Sequence, residues 1–170
     1  QTSVADRAPE SPVPRPAPVP ARPFTLASKI VFVAYLLLVF VCVWHHEAWR
    51  DEADTWLLAR DATVPEILHR MGYAGSPATW HLLLAPLAKN GVPYFSQALL
   101  NYALISAAVG LLLWQSPFSL LTRTLIVFSY FFSYEYAVIA RPYSLLVLVL
   151  FLLAWRFPHR YRHPVQHGFL

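Results

Sequence analysis

The chain has 170 residues, of which 57% are hydrophobic and only 13% are Lys, Arg, Asp or Glu. A soluble domain has about 25% charged residues, and a disordered chain has far less apolar content than this one. We therefore expect an integral membrane protein. At about 20 residues for each transmembrane helix, the chain has room for four or five spans and one sizeable loop.

The net charge of +4 does not indicate a nucleic-acid partner. The cations lie beside hydrophobic segments, where they determine how the chain is oriented in a membrane. The single cysteine, Cys42, cannot form an internal disulfide, and its apolar surroundings predict packing against lipid or another helix. The expected surroundings of this chain are therefore membrane lipid and other membrane segments.

Residues 1–23 alternate proline with small residues, so this N-terminal extension is predicted to be extended rather than helical. It is either a free tail or a strap laid on a partner. Apolar runs then predict a transmembrane domain over 24–155, with spans at about 24–44, 94–114, 120–140 and 143–155. Residues 156–170 form a basic tail.

The loop at 45–93 has a different character, because it is acidic and aromatic at once. Trp49, Ala53 and Trp56 recur at helical spacing, which predicts an amphipathic helix on the membrane surface. Thr63 and Glu66 form a capping-box pattern that predicts the start of a second, short helix. The apolar run at 80–87 is too short to cross, so it is either a half-inserted helix or a lead-in to the next span.

Charge asymmetry predicts the orientation. With four spans, eight cations and two acids share the side of both termini, whereas five cations and seven acids lie on the other side. The positive-inside rule places both termini in the cytoplasm. We expect an all-α integral membrane bundle of about four transmembrane helices, in a bacterial inner (cytoplasmic) membrane, with the amphipathic loop in the periplasm or a lumen.

The first candidate for chemistry is Asp51 with Glu52, just after the first span. A carboxylate at the membrane surface can act as a general base or hold a divalent metal. The alternative is that these acids, with Asp54, form the solvated face of an amphipathic helix. The sequence indicates no certain cofactor, and a divalent metal at these carboxylates is the candidate.

The second candidate combines Glu135, Arg141 and Tyr143 near the ends of the last two spans. An arginine in this place can grip a lipid phosphate through its planar fork of donors. The alternative is a structural Glu135–Arg141 pair. Four histidines fall on the same side, at 45, 46, 69 and 81, but they do not form a compact metal-binding motif.

Three motifs follow one another in an informative order, with two spans between the second and the third. Asp51-Glu52-Ala53 follows the first span, Gly75-Ser76-Pro77 leads into a run of leucines, and Ala140-Arg141-Pro142-Tyr143 precedes the last span. This order resembles the N-terminal third of the GT-C-type membrane glycosyltransferases, the group related to protein O-mannosyltransferases and lipid A aminoarabinose transferases. The resemblance covers about residues 26–155.

The resemblance implies transfer of a sugar from a polyprenyl-phosphate donor to an acceptor on the outer face. It assigns Asp51 as the catalytic base, Glu52 as its motif neighbour, and Arg141 as the cation near the donor phosphate. Members of this group have two to three times as many spans, so the chain is expected to be a fragment or a short form. The alternative is a non-catalytic structural subunit of a larger membrane complex, bound to other membrane protein subunits.

Overall fold

The computed structural model describes residues 25–74 and 77–157. The predicted N-terminal extension, residues Gly75 and Ser76 of the second motif, and the basic tail beyond residue 157 lie outside these ranges. Within them the chain is all helical. The helices are α1 Leu26–Trp44, α2 Arg50–Asp61, α3 Val64–Ala74, α4 Thr79–Lys89, α5 Ser96–Gln115, α6 Leu120–Val127, a π-helix at Phe131–Glu135, and α7 Tyr143–Arg156.

In the described ranges, α1 and α5 are long and apolar enough to cross a membrane. They contain 19 and 20 residues, which span about 30 Å at 1.5 Å for each residue. Helix α7 is apolar but has only 14 residues. Two of the four predicted spans are therefore single helices that are long enough to cross a membrane.

The predicted span at 120–140 is not one helix. Helix α6 ends at Val127, and after a short break the chain forms the π-helix Phe131–Glu135. Two serine hydroxyls donate to nearby carbonyls, from Ser129 to Ile126 and from Ser133 to Ser129, each at 2.7 Å. Such local bonds bend a helix. In addition, the Tyr35 hydroxyl donates to the Phe132 carbonyl at 2.8 Å, which fixes the distorted segment against α1.

Contacts between the long helices show their relative directions. Trp44 meets Phe95 with ring centroids 5.7 Å apart, and Phe32 lies against Gly110, so α1 and α5 are antiparallel. Leu112 and Ala154 line the same cavity, so α7 runs in the direction of α5. We call the end that contains residues 44–56, 94–97 and 140–143 the polar end, and the end that contains residues 113–123 the turn end.

The core has two parts. The larger one packs α1 against α5 and the segment after α6, around Tyr35, Val39, Ile105 and Val109. The smaller one holds α2 against α4 at the polar end, and its largest fully buried side chain is Trp80. This packing explains why α2 is fixed to the bundle although most of its surface is polar.

Helix α3 begins where the capping-box pattern predicts. The backbone N–H and the hydroxyl of Thr63 both donate to Glu66, at 2.7 and 2.8 Å. The backbone hydrogen bond is the main reason that the pKa of Glu66 lies below its usual range. The apolar run at 80–87 forms most of α4, which lies against α2.

Candidate functional site

Asp51 and Glu52 lie in the first turn of α2, where the helix dipole favours negative charge. The two neighbours have opposite surroundings, because consecutive helical positions do not share a face. The side chain of Asp51 is 64% exposed, whereas Glu52 is 2% exposed. The carboxylate of Asp51 is therefore accessible to a ligand, whereas that of Glu52 is buried in the interior.

Three N–H donors surround the Glu52 carboxylate. One oxygen accepts from His46 Nε2 at 2.9 Å and from the backbone of Trp49 at 2.8 Å. The other accepts from the backbone of Ala140 at 2.6 Å. A cavity beside it has about 40 Å³, which is room for one or a few water molecules but not for a sugar or a phosphate. This placement favours a supporting role for Glu52 over direct contact with substrate.

Arg141 forms an ion pair with Asp51, although the two residues are 90 positions apart in the sequence. The side chain of Arg141 is 25% exposed. Its guanidinium also lies over the ring of Trp49, 5.7 Å from the centroid, which is within the range of a cation–π interaction. The candidate base and the candidate phosphate-binding cation of the sequence therefore come together at the polar end.

Two amide side chains of α5 hold the segment that precedes Arg141. Gln97 Nε2 donates to the carbonyls of Glu52 and Ala140, each at 3.2 Å. One turn further along, Asn101 donates to the carbonyl of Ala137 at 2.9 Å. Sequence reasoning missed both residues. The available signal was their spacing of four, which places two polar side chains on one face of an otherwise apolar span.

Glu135 and Tyr143 do not join the Asp51–Arg141 pair. Glu135 accepts a hydrogen bond from the Tyr130 hydroxyl at 3.2 Å, and Arg141 pairs with Asp51 instead of Glu135. The ring of Tyr143 packs against Tyr136 at 5.5 Å. The structural Glu135–Arg141 pair considered from the sequence is thus not the pair that forms.

The histidines do not converge. His46 bonds to Glu52, and His69 packs on Tyr73 at 5.2 Å. His81 is buried in α4, and burial lowers the pKa of its imidazole. Within residues 25–74 and 77–157, no group of three or more His, Cys, Asp or Glu side chains could hold a metal ion. A divalent metal at Asp51 therefore has no complete ligand set in the described part of the chain.

A polar cleft of about 520 Å³ opens between α2 and α3. Asp54, which lines it, lies one turn along α2 from Asp51, so the cleft begins close to the exposed carboxylate. Leu57, Leu58, Asp61, Ala62, Glu66 and Arg70 complete its lining. Its volume falls in the range of small-molecule sites.

The polar end thus presents one exposed carboxylate, one guanidinium and one neighbouring cleft at the tip of an apolar bundle. A carboxylate can accept a proton, and a guanidinium can bind two oxygens of a phosphate in parallel. No family model matches the chain, and no curated protein or solved structure is significantly similar to it.

Proposed function

We propose that the chain is a GT-C-type membrane glycosyltransferase, or the part of one that carries its first catalytic elements. Its donor is a polyprenyl-phosphate sugar, and its acceptor carries a hydroxyl group. The observation that carries this proposal is the Asp51–Arg141 pair. These are the two residues that the chemistry requires, and the fold brings them together across 90 positions of the sequence.

In the proposed reaction, Asp51 takes the proton of the acceptor hydroxyl as its oxygen attacks the anomeric carbon of the sugar. The bond between that carbon and the phosphate oxygen breaks, and the bonding pair leaves with the polyprenyl phosphate. Arg141 binds the phosphate oxygens and stabilises the charge that the leaving group gains. Protons and charges balance, because the acceptor loses one proton and the polyprenyl phosphate gains one negative charge.

The ion pair fits this sequence of events. While Arg141 is paired with Asp51, the guanidinium occupies a carboxylate oxygen that the acceptor hydroxyl needs. The donor is a phosphodiester with one negative charge, as on a carboxylate, and its two non-bridging oxygens can accept two parallel hydrogen bonds from the guanidinium. In the proposed reaction Arg141 moves to the donor phosphate when the donor binds, which frees Asp51 for the acceptor.

We further propose that all four predicted spans cross a bacterial inner membrane, with the polar end at the outer face and both termini in the cytoplasm. The segment at 120–140 and helix α7 run between the same two ends as α1 and α5. The irregular backbone before Arg141 is compatible with this depth, because Gln97 and Asn101 satisfy its carbonyls inside the protein. Exposed apolar side chains of α1, such as Leu37 and Val41, then face lipid.

The test is sugar transfer by the full chain, purified with its native lipids and returned to vesicles. The donors are radiolabelled polyprenyl-phosphate mannose, glucose and aminoarabinose, and the acceptors are the lipids and proteins of the source membrane. Asp51→Asn should lower transfer by about 100-fold to 10,000-fold, the usual contribution of a general base. Glu47→Gln is the control, because it removes another exposed acid of the same loop, outside the cleft, and should retain most of the activity.

Equal transfer by wild type and Asp51→Asn would overturn the role of the base. Binding of polyprenyl phosphate alone, measured in the same vesicles, separates the two interpretations of the chain. Binding that depends on Arg141 supports an enzyme. Absence of both binding and transfer, together with fixed stoichiometry among other membrane subunits in native mass spectrometry, would instead establish the structural subunit.

A further inference from the structure

Both backbone groups of Ala140 form hydrogen bonds with side chains from α2 and α5. Ala140 donates its N–H to the Glu52 carboxylate at 2.6 Å, and its carbonyl accepts from Gln97 at 3.2 Å. The same Gln97 nitrogen donates to the Glu52 carbonyl at 3.2 Å. Both polar backbone groups of Ala140 are therefore bound to one small network at the centre of the polar end.

The network sets the register of two chain segments. Glu52 and Ala140 are its bonded positions, and Asp51 and Arg141 are their immediate neighbours in the sequence. When Glu52 is fixed to Ala140, Asp51, which precedes Glu52, is brought close to Arg141, which follows Ala140. The Asp51–Arg141 pair is thus a consequence of the buried bonds as well as of its own attraction.

Gln97 is suited to this task by its chemistry. It is 1% exposed, and its amide nitrogen carries two hydrogens, one for each carbonyl that it contacts. The two acceptors also determine which way the amide faces, since an oxygen in that place would meet two carbonyl oxygens. A glutamate of the same shape could not donate, and a methionine could fill the space without any polar contact.

We propose that Gln97 is a positioning residue that holds Arg141 beside Asp51 by joining Glu52 to Ala140. This inference rests on the proposed function for its catalytic consequence, but the arrangement of the residues is measurable without turnover. Gln97 has no contact with substrate in this scheme. It acts through the backbone of the two segments.

The first measurement is fluorine NMR of the full chain in lipid nanodiscs, with 5-fluorotryptophan in place of tryptophan. The Trp49 resonance is assigned with Trp49→Phe, and it reports on Arg141 because the guanidinium lies over that ring. Arg141→Lys defines the shift caused by loss of the guanidinium. Gln97→Met should move the Trp49 resonance in the same direction, by at least half of that amount.

Asn101→Leu is the matched control. It removes another α5 amide that binds the same segment, at Tyr136, Ala137 and Ile139 rather than at Ala140. It should lower the thermal stability of the protein as much as Gln97→Met does, and it should leave the Trp49 resonance close to its wild-type position. A general loosening of the fold would move Trp49 equally in both variants and would overturn the positioning role.

The second measurement is transfer kinetics. Gln97→Met should raise the KM for the polyprenyl-phosphate donor by about tenfold, because a misplaced Arg141 loses about 1.4 kcal/mol of phosphate binding. Gln97→Glu should behave like Gln97→Met, since it also lacks the donor. An unchanged donor KM with an unmoved Trp49 resonance would overturn the inference. Wild-type protein without any transfer activity would overturn the proposed function alone, because the resonance still decides the role of Gln97.

Discussion

The two ends of the bundle each contain an arginine, and they use it differently. At the turn end, Arg123 is only 3% exposed and donates to the carbonyl of Leu113 in the last turn of α5. At the polar end, Arg141 is partly exposed and pairs with the exposed carboxylate of Asp51. Among the described residues, Arg123 has no acidic partner.

This difference shows which charge a ligand can use. The guanidinium of Arg123 satisfies a carbonyl that the end of α5 leaves without an intrahelical donor, and it complements the negative end of the helix dipole. The guanidinium of Arg123 is therefore used to stabilise the fold. Arg141 is partly exposed and held by an ion pair that an anionic ligand can replace, so its charge is available for binding.

Arg141→Ala tests the polar end with the largest expected effect. Sugar transfer should fall by about 100-fold to 1,000-fold, the usual cost of removing one group that stabilises a developing negative charge. The free energy of unfolding should fall by only about 0.5–1 kcal/mol, because exposed ion pairs contribute little. Transfer assays and SDS titration in mixed micelles measure the two quantities. Unchanged transfer in Arg141→Ala would instead give Arg141 a purely structural role, as we assign to Arg123.

Glu52→Gln tests the buried support of the same end. The amide keeps the size of the side chain but turns one acceptor oxygen into a donor, which then faces N–H groups. The free energy of unfolding should fall by about 2–3 kcal/mol, since hydrogen bonds to a charged group are among the stronger ones. Glu47→Gln is the control, because Glu47 is an exposed acid of the same loop. Equal stability of the two variants would contradict the structural role of Glu52.

The pattern of apolar and polar residues was enough to predict the helical class, the positions of α1 and α5, and the start of α3. These features depend on local periodicity and on capping residues a few positions apart. The break after Val127 was not predicted, because it depends on the hydroxyls of Ser129 and Ser133 and on Tyr35 from another helix. Apolar composition alone does not distinguish a straight helix from a distorted one.

The sequence predicted which residues belong to the candidate site but not how they are arranged. Sequence reasoning selected Asp51, Glu52 and Arg141, and the resemblance gave Asp51 and Glu52 different roles. It did not predict that one acid is exposed and the other buried, and it considered Glu135 as a partner of Arg141. The difference between Asp51 and Glu52 arises from contacts with Ala140 and Gln97, which are distant in sequence. No local pattern contains that information, so a structure was required to separate the exposed acid from the buried one.

Arg123→Met tests the turn end and should have a moderate effect. The variant keeps an unbranched apolar stem in the same space and removes only the hydrogen bond to Leu113 and the positive charge. We expect a loss of about 1 kcal/mol in the free energy of unfolding and transfer within twofold of wild type. Transfer that falls as far as in Arg141→Ala would show that the two ends are coupled, and the separation of roles drawn above would be wrong.

The smallest expected effect is a difference in pH response between the two ends. Burial lowers the pKa of His81 below its ordinary value of about 6.5. The unfolded chain therefore binds a proton near pH 6.5 that the folded chain does not, so the free energy of unfolding should fall as the pH drops below about 6.5. His81→Gln should flatten this slope, whereas Arg123→Met should leave it unchanged. SDS titrations at about pH 7.5 and about pH 5.5 measure the slopes. A wild-type stability that rises on acidification would contradict burial of a neutral His81 at the polar end.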